Sequence, residues 1–255
     1  MPRTRRDAGQ SGLYHVMIRG NGKQILFENN SNRSFYLEKL GSHLSEGDIQ
    51  LLAWCLMDNH AHLLVRCDPD KFKELSTAMA RVNGSYARHF NSITGHVGHV
   101  FQDRFLCKAI DSKPYLLEVV RYIHNNPESA GICPSDKYRW SSYSEYVGTP
   151  SITHTQFVLD MVGGPDGFRR FVKGRANPAL RLRCELCPTP ETLLSIAREV
   201  LDPISLESIA GLPKSKRDRC LQSLHKTGFS VRQIQRMTGI GKSTIFNVIS
   251  HCDKH

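Results

Sequence analysis

Leu51-Leu-Ala-Trp-Cys-Leu-Met-Asp-Asn-His-Ala-His-Leu-Leu-Val-Arg66 is a long β region broken once, at Met57-Asp-Asn, by residues that favour a turn. Period-two geometry aims His60 and His62 at the same face of the second half. Upstream, Gly12-Leu-Tyr-His-Val-Met-Ile-Arg-Gly20 is a glycine-bounded strand, in which His15 reads as a packed strand histidine. Between the two, Asn32 to Leu44 places Phe35, Leu37, Leu40 and Leu44 at helical spacing after a polar start. The order is β, α, β. Downstream follow a helix over Phe72 to Phe90, a third β region over Val100 to Ile110, and a helix over Pro114 to Asn126. That last helix opens with proline in its first turn and stops before Pro127. Mixed strands and helices with short links predict an α+β fold for roughly the first 150 residues.

The chain has 255 residues, 40% of them apolar, enough for one large or two smaller cores, and this excludes wholesale disorder. No stretch approaches ~18 apolar residues, and the start lacks the apolar centre of a secretory signal, so a soluble cytoplasmic protein without membrane contact is expected. Eight cysteines are scattered, and only Cys184 and Cys187 have chelate spacing. Without a second ligand pair, unless His251, Cys252 or His255 supplies one, they read as buried thiols rather than a zinc site. The net charge of +10 lies toward the back: residues 165–183 carry six Lys/Arg against Asp166 alone. That favours a polyanionic partner, nucleic acid first.

The texture divides the chain into a front domain over 1–148, a basic linker over 149–188 and a small all-α domain over 189–255. In the last, Thr189 and Pro190 open a helix with Leu193, Leu194, Ala197, Val200 and Leu201 on one face. Gly228 to Ile249 then reads as helix, glycine turn at Gly239 to Gly241, and helix, with a Ser230/Gln233 capping box. Lys242, Ser243, Thr244 and Asn247 face outward there, residues suited to phosphates and base edges. Any helical hairpin needs such a turn, but the basic charge favours DNA binding. Gly239-Ile-Gly-Lys-Ser-Thr is not a phosphate loop, because the glycine required five residues before Gly241 is Arg236.

His60 and His62 could chelate one divalent ion or simply pack. On the Pro114 to Asn126 helix, Leu116, Leu117, Val119, Val120 and Ile123 form a buried stripe, while Glu118, Tyr122 and Asn126 follow at i, i+4 and i+8 on another face. A hydroxyl nucleophile and an amide oxygen one turn apart could meet the histidines across one ion. Alternatively, Tyr122 is a core aromatic and Asn126 a helix-ending residue. Tyr115, at i−7 from Tyr122, is the second candidate nucleophile. Arg104, between Phe101 and Phe105, is suited to gripping a backbone while the aromatics stack bases, or lies on a plain β ribbon.

Taken jointly, Tyr14-His-Val-Met-Ile-Arg-Gly-Asn, Met57-Asp-Asn-His-Ala-His-Leu-Leu, Val100-Phe-Gln-Asp-Arg-Phe, Tyr122-Ile-His-Asn-Asn-Pro and Trp140-Ser-Ser-Tyr resemble the one-tyrosine HUH transposases, most closely the branch associated with repeated extragenic palindromes (REP). The resemblance covers about the first 145 residues. It implies a ferredoxin-like antiparallel sheet with helices on one face, acting on single-stranded DNA hairpins in the bacterial cytoplasm, at the nucleoid. It also implies that His60 and His62 bind Mg²⁺ or Mn²⁺ with Asn126 as third ligand, and that Tyr122 is the nucleophile, giving a 5′-phosphotyrosine and a free 3′-hydroxyl. Whether tyrosine and histidines meet in one chain or across a homodimer is left open, as is a silent regulator that keeps the shape without cutting. Residues 190–250 resemble the C-terminal DNA-binding helix-turn-helix domain of the replication initiator DnaA, except that Gly241-Lys242 replaces the usual Asp-His pair.

Overall fold

The computed structural model describes residues 9–174, 176–185 and 188–250, which leaves Cys187, His251, Cys252 and His255 outside. The chain forms two compact units that divide between Arg175 and Ala176.

In the front unit, strands β1 (Leu13–Arg19), β2 (Gln50–Met57), β3 (His60–Arg66) and β4 (Leu106–Ala109) form an antiparallel sheet in the order β2-β3-β1-β4. Helix α1 (Asn30–Glu46) lies between β1 and β2 in the chain, and α2 (Phe72–Thr94) between β3 and β4. The sequence β-α-β-β-α-β with this strand order is the ferredoxin-like arrangement. Of the Val100 to Ile110 region only Leu106–Ala109 forms a strand; Phe101 adds a single bridge to Gly20.

Helix α1 starts two residues before the expected Asn32, because Asn29 caps it by accepting from Asn32 N at 2.9 Å. Its Tyr36, Leu40 and Leu44 meet Leu75, Met79, Val82, Tyr86 and Phe90 of α2 over Tyr14, Val16, Ile18, Leu63 and Val65 of the sheet. Each such side chain contributes roughly 1.5–3 kcal/mol by leaving water. All interior residues of β1 and β3 are buried, as expected only when both faces are covered.

The second cover is α3 (Lys113–Ser129), which packs on β2 and β3 through Leu116, Val119, Val120 and Ile123. It does not stop before Pro127 but runs through it. So close to the helix end the ring removes only the bond to the Ile123 carbonyl, and Ala130 N still donates to Asn126 O at 2.9 Å.

Behind α3 lie α4 (Tyr143–Val147), α5 (Gln156–Val162) and α6 (Gly164–Lys173). Phe168 stacks on Tyr146 at 4.2 Å, the Arg121 guanidinium sits 4.2 Å from the Phe171 ring centre, and Asn125 Nδ2 donates to Val172 O at 3.1 Å. Residues Trp140 to Ser142 run along the outer edge of β2, where Leu56 N donates to Trp140 O and Ser142 N to Trp54 O, both at 2.9 Å. Trp54 Nε1 donates to the buried Glu145 at 3.0 Å, whose other oxygen accepts from the amides of Ser151, Ile152 and Thr153.

The stretch 149–188 therefore carries α5, α6 and, in the back unit, α7 (Pro178–Cys184). Its basic residues Arg169, Arg170 and Lys173 stay exposed on α6 while Phe168 and Val172 turn inward.

The back unit continues with α8 (Pro190–Leu201), α9 (Lys214–Thr227), α10 (Val231–Thr238) and α11 (Lys242–Ser250) around Ile196, Leu221, Leu224, Phe229, Ile234 and Ile245. The Ser230/Gln233 capping box starts α10, and Gly239, at a φ of 71° that favours glycine, ends it.

Candidate active site

The site is built from a two-residue turn. Between β2 and β3, Asp58 and Asn59 are tied from several sides: Leu26 N and Phe27 N donate to Asp58 O at 2.7 and 2.9 Å, Arg33 pairs with Asp58 at 2.6 Å, and Gly20 N donates to Asn59 O at 2.9 Å. Gly20 must be glycine, since a Cβ there would stand 2.2 Å from the Gln24 carbonyl oxygen. The turn sets the register in which Arg19 faces His60 and Met17 faces His62, on the side of the sheet that α3 covers.

The His60 and His62 rings stand 5.1 Å apart at 87°. Tyr122 meets His62 edge to face at 5.2 Å, and Asn126, one turn on, hydrogen-bonds the side chain of His60 while its Nδ2 donates to Tyr122 O at 2.8 Å. Four side chains picked out in the sequence thus gather in one chain. His15, expected only to pack, is part of the same cluster: its Nε2 lies 3.0 Å from His62 Nδ1 and its ring 5.9 Å from Tyr122. It was missed because it lies 47 residues away, and only the pairing of β1 with β3 brings it there.

Burial first, then Arg19, pushes His60 down to about 4, against the opposing Asn126 bond and Asp58 charge. Burial, with His60, His15 and Arg19 adding to it, holds His62 well below the usual imidazole range. Burial and then Lys108 lower His15 to about 3. All three rings are neutral at pH 7, the form in which imidazole donates a lone pair.

His60 Nδ1 is engaged by Asn59 Oδ1 at 2.7 Å and His62 Nδ1 by His15, which leaves Nε2 of His62 for a ligand and Nε2 of His60 beside Asn126. Two imidazole nitrogens and the Asn126 amide oxygen suit a divalent ion. Among the described residues no group of three His, Cys, Asp or Glu is gathered that could hold a metal ion.

Other candidates fall away from this cluster. Tyr115 is fully buried, and the structure pairs its ring with Lys108, 5.7 Å away. Seven residues return it to nearly the same helix face but about 10 Å along the axis from Tyr122. Glu118, one turn before Tyr122 and 3% exposed, is paired with Arg121 at 2.6 Å. Arg104 is exposed, but Phe105 is buried in the core and Phe101 packs toward Tyr86, so the aromatics expected to stack bases are occupied. In the back unit Lys242, Ser243 and Asn247 are exposed and Thr244 half-buried; Phe246, not singled out in the sequence, is 60% exposed beside them. Cys184 is buried. No described helix is long and apolar enough to cross a membrane.

Residues 10–126, the span from the first strand to Asn126, match the model of the family described as "Transposase IS200 like". Among solved structures, one of a REP-associated tyrosine transposase bound to a REP hairpin is 17% identical, covers 58% of this chain and 86% of that one, and has a TM-score of 0.44. No curated protein matches. Over residues 10–126, a little under half of its length, this chain is thus similar to the IS200-like transposases.

Proposed function

We propose that the front unit cuts and rejoins single-stranded DNA, with Tyr122 as nucleophile. The observation that carries this reading is the edge contact of Tyr122 with His62, beside Asn126 bonded to His60, in a single chain. In-line attack by the Tyr122 oxygen on a backbone phosphorus forms the tyrosine–phosphorus bond and breaks the bond to the 3′-oxygen, leaving a 5′-phosphotyrosine and a free 3′-hydroxyl. Attack by another 3′-hydroxyl reverses the step, and the bond stored in the protein removes any need for ATP. His60, His62 and Asn126 would hold Mg²⁺ or Mn²⁺, which draws charge off the phosphate oxygens and orients the attack. Arg104 is an exposed cation for the same strand. In the back unit, α10 and α11 form a helix-turn-helix module in which Lys242, Ser243, Thr244 and Asn247 grip a duplex or hairpin stem.

The test is incubation with labelled single-stranded hairpin DNA and Mn²⁺, followed by a denaturing gel. A covalent adduct that disappears in Tyr122→Phe is expected. An adduct that persists in Tyr122→Phe refutes the assignment, and DNA binding without an adduct under either metal makes the protein a regulator instead.

A further inference from the structure

His15 is unlike the other buried histidine behind the sheet. His124, fully buried in α3, has both nitrogens satisfied: Nδ1 lies 2.8 Å from Val120 O and Nε2 2.8 Å from Ser142 Oγ. That is the pattern of a histidine held for packing. His15 is equally buried, yet its Nδ1 has no hydrogen-bond partner among the described residues, and its one side-chain hydrogen bond, through Nε2, is to His62. A half-satisfied imidazole is a poor core residue, so its value lies in the bond it does make.

We infer that His15 is a positioning residue of the site: it accepts the Nδ1–H of His62, and so fixes the tautomer and ring angle in which His62 presents Nε2. The inference rests on the metal-binding reading above. The tautomer follows from the neutral ring. If Nε2 of His62 is to offer a lone pair, its single proton sits on Nδ1, and the atom 3.0 Å from it, His15 Nε2, is the acceptor. On β1, His15 pairs with Leu64 and Met17 with His62, so His15 reaches His62 on the diagonal across two paired strands rather than from a mobile loop. His60 is served in the same way from the turn, its Nδ1 lying 2.7 Å from Asn59 Oδ1. Each imidazole therefore has its own partner on the side away from the site.

The test is titration of the metal-stripped full chain with Mn²⁺, followed by electron paramagnetic resonance. His15→Leu should weaken Mn²⁺ binding roughly 10–100-fold. His15→Gln, whose amide oxygen reaches the place of Nε2, should recover most of it, and His15→Asn, one bond shorter, should not. His62→Ala should abolish binding. Long-range ¹H–¹⁵N spectra of the metal-free chain should show the His62 proton on Nδ1 in the native protein and in His15→Gln. If His15→Leu binds like the native chain while His62→Ala does not, His15 only packs and the inference fails alone. If the native chain binds no Mn²⁺, or His62→Ala still binds it, the metal reading fails and the inference with it. A native His62 protonated on Nε2 refutes the inference even where Mn²⁺ binds. Should His15→Leu not fold, the contrast between Gln and Asn decides: equal affinities overturn the inference.

Discussion

Lowering the pH from 7 to 5 without metal is expected to destabilise the front unit through its buried histidines, and His124 isolates the effect from the site. Burial holds His124 at about 4, opposed by its bond to the Val120 carbonyl. An unfolded histidine titrates near ~6.5. Because the folded value lies below the unfolded one, the unfolded chain binds the extra proton. Stability is therefore complete above about 6.5 and is lost as pH falls toward the folded value. At pH 5, roughly 1.5 units below the unfolded value and about 1.36 kcal/mol per unit, His124 alone removes about 2 kcal/mol. His15, His60 and His62 act in the same sense. The assay is urea unfolding in EDTA followed by tryptophan fluorescence. The chain's two tryptophans, Trp54 and Trp140, both lie in the front unit, so the signal ignores the back unit. His124→Gln costs some stability at pH 7, but its loss between pH 7 and 5 should be about 2 kcal/mol smaller than that of the native chain. An equal loss in both proteins would refute the premise that His124 is held neutral by burial.

Three further outcomes are expected. Glu145→Ala strands the Trp54 indole N–H and the amides of Ser151, Ile152 and Thr153, and should lower stability by about 3 kcal/mol in the same urea assay, with Glu145→Gln losing less. Phe168→Ala empties the space between Tyr146 and His124, costs about 3–5 kcal/mol, and should open α6 to limited proteolysis first. Lys242→Ala, at the exposed start of α11, should weaken binding of any duplex evenly and reduce the slope of log affinity against log salt by about 1; a change confined to one DNA sequence would contradict a phosphate contact.

Strands β1 to β3 were legible because the glycine bounds of the first and the Met57-Asp-Asn break between the others are local signals, and α1 because Phe35 to Leu44 repeat at helical spacing. His60 with His62, and Tyr122 with Asn126, could each be paired from spacing within one element. That the two pairs meet depends on α3 crossing β2 and β3, which no local pattern encodes. His15 was illegible for the same reason. Helix α6 was hidden by composition: three exposed cations around Phe168 and Val172 make an amphipathic helix look like a charged connector. Phe105 looked available because it neighbours Arg104, but it precedes the strand and is buried in the core.

Helix α3 is clamped from behind by Arg121 on Phe171, by Asn125 on Val172 and by His124 on Ser142, all within one turn of Tyr122. If Tyr122 acts as proposed, these contacts would have to break before the helix could swing outward with DNA attached. While they hold, a strand end joined to that tyrosine would stay where it was captured, and any exchange would require the second end to travel to the protein.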